Sequence, residues 1–363
     1  MIPVASPQIG AEERQAVLAV MESGQLAQGP VVEAFEREFA AWCGVAHAVA
    51  VNSGTAALHL LMLAHGIKEG DEVLTSPFTF VASANAALFA GARPTFADIE
   101  MKTYCLDPSA VERALTKRTR AIMPVDLYGH PAAIDEMKAI ADRHGLLLIE
   151  DACQSHGAEI GDRRAGAMGV SATFSFYPTK NMTTGEGGMV TTDDAEIAGK
   201  VRSLRQHGAT ERYHHEMLGY NFRLTDMAAA IGRAQLAKLD EFNETRRRNA
   251  GVLTRGLAGV PGIVTPHERE GFRSVYHQYT IRVEHDRARF RERLRELGVG
   301  TAVHYEVPVH RQPFYVSLGY GSQSFPNAEL AASQVVSLPV HPALTDSDLD
   351  RIIDSVRKVA ATA

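Results

Sequence analysis

Between residues 46 and 207, short apolar runs alternate with longer stretches of helical spacing, and no other feature restricts the fold so strongly. Strands are expected at 46–51, 72–76, 94–98, 120–126, 146–150, 172–177 and 188–192. Helices are expected between them, at 56–64, 79–90, 108–115, 133–144 and 194–207. Such alternation with short links builds a largely parallel sheet with helices on its faces, an α/β architecture. Leu146-Leu147-Leu148-Ile149 is continuously apolar, as a central strand covered on both sides must be. Two helices, at 11–23 and 31–42, precede this region. Gly24 ends the first, and Phe35 and Phe39 share one face of the second.

A chain of 363 residues exceeds a typical single core. Two domains are therefore expected, a large one over 1–245 and a smaller C-terminal α/β domain over 246–363. The latter reads as strand 276–283, helix 287–297, strand 300–304, an irregular stretch to His310, and helices at 327–335 and 346–359. The boundary falls in a charged helix whose Arg246-Arg247-Arg248 run is expected on a solvated face. A helix at 225–239 precedes it.

The net charge of −6, without a basic stripe, argues against nucleic acid as a partner. The three cysteines are scattered and carry no metal-ligand spacing, so neither a disulfide framework nor a metal is expected. His304 and His310 flank a proline with no third ligand nearby, and hydrogen bonding to a polyhydroxylated or phosphorylated substrate suits them better than zinc. No basic region followed by an apolar run opens the sequence, and no run is long enough to span a bilayer. A cytoplasmic protein is expected, with no membrane partner.

The chemistry concentrates around Lys180. A strand-like run ends at Pro178, a polar turn carries Lys180, and Gly185, Gly187 and Gly188 flank Glu186 before the next strand. A lysine held between two strands is desolvated, which lowers its pKa and frees its amine for Schiff-base chemistry. At the carboxyl end of the apolar strand, Glu150 and Asp151 point to opposite faces. Asp151 is then either a ligand-facing carboxylate or a cap for the following turn. Asn52-Ser53-Gly54-Thr55 between strand and helix has the form of a phosphate site, or of an ordinary capped helix. Lys180 to hold an aldehyde, Asp151 to pair with a ring nitrogen, Gly54, Thr55 and Ser175 to hold a phosphate, and Phe80 to cover a ring together meet the demands of pyridoxal phosphate (PLP).

These segments carry a resemblance. NSGTAALHL at 52–60, TSPFTFVASANA at 75–86, EDACQSHGA at 150–158, FSFYPTKNMTTGEGGM at 174–189, GYNFRLTDMAAA at 219–230 and HYEVPVH at 304–310 occur in order. The sequence resembles the DegT/DnrJ/EryC1/StrS sugar aminotransferases, PLP enzymes of the aspartate aminotransferase fold (fold type I). The resemblance implies Lys180 as the Schiff-base lysine, Asp151 on the pyridine nitrogen, and Gln154 on the phenolic oxygen. It also implies Phe80 against the ring, Gly54, Thr55 and Ser175 on the phosphate, and Asn221 reaching that phosphate from the second subunit of a homodimer. Tyr305 and His310 lie where relatives approach substrate. Glu186 is a sugar-site candidate or a plain turn carboxylate, and His156 a supporting hydrogen-bonding residue. The implied reaction moves an amino group from glutamate to a nucleotide-linked keto sugar. The Thr-Thr-Gly-Glu-Gly-Gly turn favours C4 of a 4-keto-6-deoxy sugar, with a 3-keto sugar or a cyclitol as alternatives. A dehydratase of the family would carry histidine at 180, and a non-catalytic PLP-binding regulator would hold a cofactor that never reacts.

Overall fold

The computed structural model describes residues 1–211, 213–284 and 286–362. Its central sheet has seven strands, in the order His47–Val51, Gly188–Thr192, Ser171–Ser175, Leu147–Asp151, Thr119–Ile122, Glu72–Thr75 and Arg93–Phe96. From Ser171–Ser175 to Arg93–Phe96 every pairing is parallel. Gly188–Thr192 alone runs against its neighbours. The link from Ser175 to Gly188 contains no helix, so the chain returns beside itself instead of crossing over. Lys180 lies in that link.

The two-residue pleat divides each strand between two cores. Leu148, Phe174 and Met189 face one side, where they meet Phe35 and Phe39 of helix Pro30–Cys43. Val49, Ile149 and Val190 face the other, against helix Gly54–Ala64. That helix is apolar nearly all round and accordingly buried nearly all round. Phe39 sits edge-on to both Phe174 and Phe176, and such rings each contribute roughly 1.5–3 kcal/mol on burial.

A second, antiparallel sheet pairs Tyr279–Val283 with Ile263–Val264 and Val335–Leu338. Helices Arg287–Glu296 and Asp346–Ala360 pack over it, and Ile2 joins its core. The expected strand at 300–304 is only a bridge from Ala302 to Ser337. The chain turns there towards the large sheet, and Val335–Leu338 supplies the strand instead. The helix expected at 225–239 is Asp226–Leu236, followed at once by Leu239–Leu257. This longer helix runs unbroken through the expected boundary but changes partner along its length. Leu239 belongs to the large core, whereas Ala250, Leu253 and Leu257 belong to the small one. Arg246 is not on a solvated face. It is 6% exposed, because it lies on the stripe of the helix that both cores cover. Val309, Tyr315 and Tyr320, expected with the C-terminal domain, pack instead on Ala84 and Phe96 beside the large sheet. The loop at 211–223, expected to be irregular, begins in a short hairpin of Ala209–Glu211 with His214–His215. Among the described residues no helix is long and apolar enough to cross a membrane, and no cluster of three metal-ligating side chains occurs.

Candidate active site

The carboxyl ends of Leu147–Asp151 and Ser171–Ser175 and the N-terminus of helix Gly54–Ala64 meet at a cavity of about 560 Å³. Gly54, Thr55, Phe80, Asp151, Gln154, Ser175, Lys180, Glu186 and Tyr305 all line it. Lys180 is held by the turn around it. Its N–H donates to the Tyr177 carbonyl at 2.9 Å, and the Thr183 hydroxyl donates to the Phe176 carbonyl at 2.8 Å. The next residue, Asn181, donates to Asn243 Oδ1 at 2.8 Å and to the Val275 carbonyl at 3.1 Å. Burial pushes the Lys180 ammonium below the usual lysine range, with Cys153 and Asp151 acting in the opposite sense. An amine whose charged form is disfavoured is readier to act as a nucleophile and a base.

Strand pleating separates the two adjacent acids. Glu150 turns into the core, where it accepts from the Gly166 N–H and burial raises its pKa. Asp151 turns to the cavity. Its Oδ2 accepts from the Ser83 hydroxyl at 2.7 Å and its Oδ1 from the Cys153 N–H at 3.2 Å. Three residues on, Gln154 is held at both ends of its amide. Its Oε1 accepts from the Tyr128 N–H at 3.0 Å, and its Nε2 donates to the Tyr305 hydroxyl at 3.0 Å.

At the helix terminus, Ser53 Oγ accepts from the Ala56 N–H at 3.1 Å. The amides of Gly54 and Thr55 have no intrahelical acceptor, and with the helix dipole they form an anion site. Only glycine suits position 54: a Cβ there would stand 2.7 Å from Ser175 Cβ. The cradle for an anion therefore depends on a close approach of two backbones. Phe80, 54% exposed, stands 6.1 Å from the Tyr305 ring at a tilt of 37° and forms a flat wall of the cavity.

Two of the expected site residues lie elsewhere. His310 is fully buried, bonded to Glu329 at 3.0 Å and edge-on to Phe325, and it does not line the cavity. Its partners come from the helix expected at 327–335 and the loop before it, so tertiary packing uses the ring as a fastener. Asn221 is exposed outside this chain's cavity, its backbone bridged to Gln206. His156 is buried against Phe174 and Phe176 and does not reach the cavity. Conversely, Thr79, Ser83, Cys153, His277 and Gln278 line the cavity without having been singled out as ligands, and His304, expected to bond a substrate, lines it as well. Thr79 and Ser83 had a signal, two hydroxyls four apart in an otherwise apolar segment. His277 and Gln278 had none.

The match to a family model spans residues 7–357 and describes the DegT/DnrJ/EryC1/StrS aminotransferase family. The chain belongs to that family. The dTDP-3-amino-3,4,6-trideoxy-alpha-D-glucose transaminase of Streptomyces venezuelae is 44% identical over 360 residues, covering 99% of this chain and 95% of that protein. The GDP-perosamine synthase of Caulobacter vibrioides is 39% identical over 366 residues, covering 99% and 98%. The crystal structure of S. venezuelae DesV in complex with a ketimine intermediate superposes with a TM-score of 0.94, at 45% identity, covering 96% of this chain and 94% of that one. This protein is thus a PLP-dependent aminotransferase of the sugar aminotransferase family, with the fold expected from its sequence.

The residues present fit the cofactor. The cavity offers a low-pKa lysine, a carboxylate with both oxygens already oriented, free helix-terminal amides and an aromatic wall, and it has room for a ligand beyond the cofactor.

Proposed function

We infer that this aminotransferase takes an amino group from glutamate and delivers it to C4 of a nucleotide-linked 4-keto-6-deoxy sugar. The observation that carries the position is Glu186. It is an exposed carboxylate at the cavity rim, in the Thr-Thr-Gly-Glu-Gly-Gly turn, where a sugar hydroxyl can reach it. Lys180 would hold the cofactor, Asp151 its ring nitrogen, Gln154 its phenolic oxygen, Phe80 a ring face, and Gly54, Thr55 and Ser175 its phosphate. When bound, PLP supplies an electron sink and a carrier for the amino group.

The chain's own residues do the rest. Lys180 Nζ, whose charged form is disfavoured by burial, takes the proton from the donor's α-carbon and later returns one to the sugar carbon that gains nitrogen. Asp151, fixed by Ser83 and the Cys153 amide, keeps the ring nitrogen protonated. Tyr305 and Gln154 form one bonded unit facing both cofactor and sugar.

A second reading, amination at C3, is favoured by the Streptomyces relative, whose name specifies a 3-amino sugar. The deciding experiment supplies glutamate and, in turn, nucleotide-linked 4-keto and 3-keto sugars, and identifies the product by mass spectrometry and NMR. Amination of the 4-keto sugar alone is expected, and amination of only the 3-keto sugar overturns the C4 assignment. The same reading places Asn221 at the phosphate of a second copy in a homodimer. Lys180→Ala and Asn221→Ala chains, each impaired alone, should then recover activity when mixed and refolded together. Mixtures no better than either chain would remove the shared site.

A further inference from the structure

Asp151 does not reach the cavity with a free choice of direction. It sits 2% exposed at the end of its strand, and each carboxylate oxygen already accepts one hydrogen bond. The Oδ2 bond comes from Ser83, itself 2% exposed, at 2.7 Å, a good O–H···O distance. Ser83 Oγ also lies 3.0 Å from Thr79 Oγ1, and Thr79 is 3% exposed. A carboxylate only accepts, so the single Ser83 proton is committed to Asp151. Thr79 must then be the donor to Ser83. The two hydroxyls form a one-way relay, Thr79 to Ser83 to Asp151, and each bond polarises the next.

The relay is built by local geometry. Thr79 lies in the bend before helix Ala82–Phe89 and Ser83 in its first turn, and the bend brings the two hydroxyls to 3.0 Å. Phe80 lies between them in sequence and lines the same cavity. One short segment therefore supplies both the aromatic wall and the support for the carboxylate on the neighbouring strand.

We propose that Ser83, backed by Thr79, is a positioning residue that aims Asp151 at the cofactor's ring nitrogen. Ser83 acts through Asp151. Its loss leaves Oδ2 buried without that donor, which lets the carboxylate rotate away from the ring nitrogen. The proposal concerns only the cofactor half of the site and stands whichever sugar is aminated.

The test uses holoenzyme loaded with PLP labelled with nitrogen-15 in its ring, read by NMR, with cofactor affinity measured by equilibrium dialysis. In the unaltered protein the ring nitrogen is expected to be protonated. Ser83→Ala should move its signal towards the unprotonated form and weaken cofactor binding about tenfold, as loss of one charge-assisted hydrogen bond would. Ser83→Thr, which restores a hydroxyl, should recover the signal. Thr79→Val, close in shape, should move it the same way by a smaller amount. The Thr79 variant keeps the test open should Ser83→Ala fold poorly. Weakened binding with an unchanged nitrogen signal in the variants would reduce the relay to wall packing and overturn the proposal, as would a Ser83→Ala protein indistinguishable from the parent.

Discussion

At the scale of the residue, the site works by withholding water. Burial lowers Lys180, and burial is also the main cause that pushes His277 and His304 below the usual histidine range beside it. A cluster that keeps its bases unprotonated suits proton abstraction from carbon. Lys180→Ala should abolish the borohydride-trapped covalent link to the cofactor, seen by intact mass, and lower amino transfer by about a thousandfold or more. A variant that still formed the link would move the attachment to another lysine. Lys180 and Asp151 were legible in the sequence because each is announced by neighbours: proline and glycines around one, a continuous apolar strand before the other. His310 misled because its neighbours in sequence resemble a substrate loop, while its partners, Glu329 and Phe325, come from a later segment.

At the scale of the element, two helix N-termini carry most of the local risk. Asp226, 1% exposed, accepts from the N–H groups of Gly29 at 2.8 Å, Val32 at 3.0 Å and Val31 at 3.3 Å. It thereby caps helix Pro30–Cys43 from the start of another helix. Asp226→Ala strands those donors and should cost about 2–4 kcal/mol in urea unfolding, with Asp226→Asn costing less. A cost under about 1 kcal/mol would mean that water replaces the carboxylate. At helix Gly54–Ala64 the risk is steric. Gly54→Ala pushes a methyl against Ser175 Cβ, and the separation it forces should weaken PLP binding by about tenfold at least in equilibrium dialysis, for a strain of roughly 1–3 kcal/mol. Unchanged affinity would show that the two backbones part freely. The strand–turn–helix form around Gly54 was readable from the sequence, but the strand that presses on it was not.

At the scale of the whole molecule, buried titratable groups set the acid limit of stability. Burial pushes His156 down to about 3 and His65 and His304 to about 4. Unfolded, each titrates near the ordinary value of about 6.5. Below that pH the unfolded chain binds protons that the folded chain refuses, so stability falls as pH drops towards 4, by at most about 1.4 kcal/mol per pH unit for each histidine. Asp126 and Glu150, raised by burial, act in the opposite direction, since the folded chain keeps protons that the unfolded chain has released. His59, His130, His277, His310 and His341 are lowered as well, so the histidines outnumber the two acids. Urea midpoints measured from pH 7 to pH 4.5 should fall steadily. A flat or rising series would show the acids to dominate.

The α/β alternation, the lysine turn, the acid at the strand end and the capped helix beside it can all be read from local patterns. Periodicity, turn chemistry and capping depend on residues a few positions apart, and such interactions survive reading one stretch at a time. What closes the site comes instead from packing between distant segments. Gln154 bonds Tyr305 from 151 positions away, His277 and Gln278 arrive from the bend just before a strand of a second sheet, and Arg246 is buried where two cores meet. Those neighbours are set by how sheets and helices stack, a consequence of burying all the apolar faces at once, and no local pattern encodes which distant segment fills a given gap.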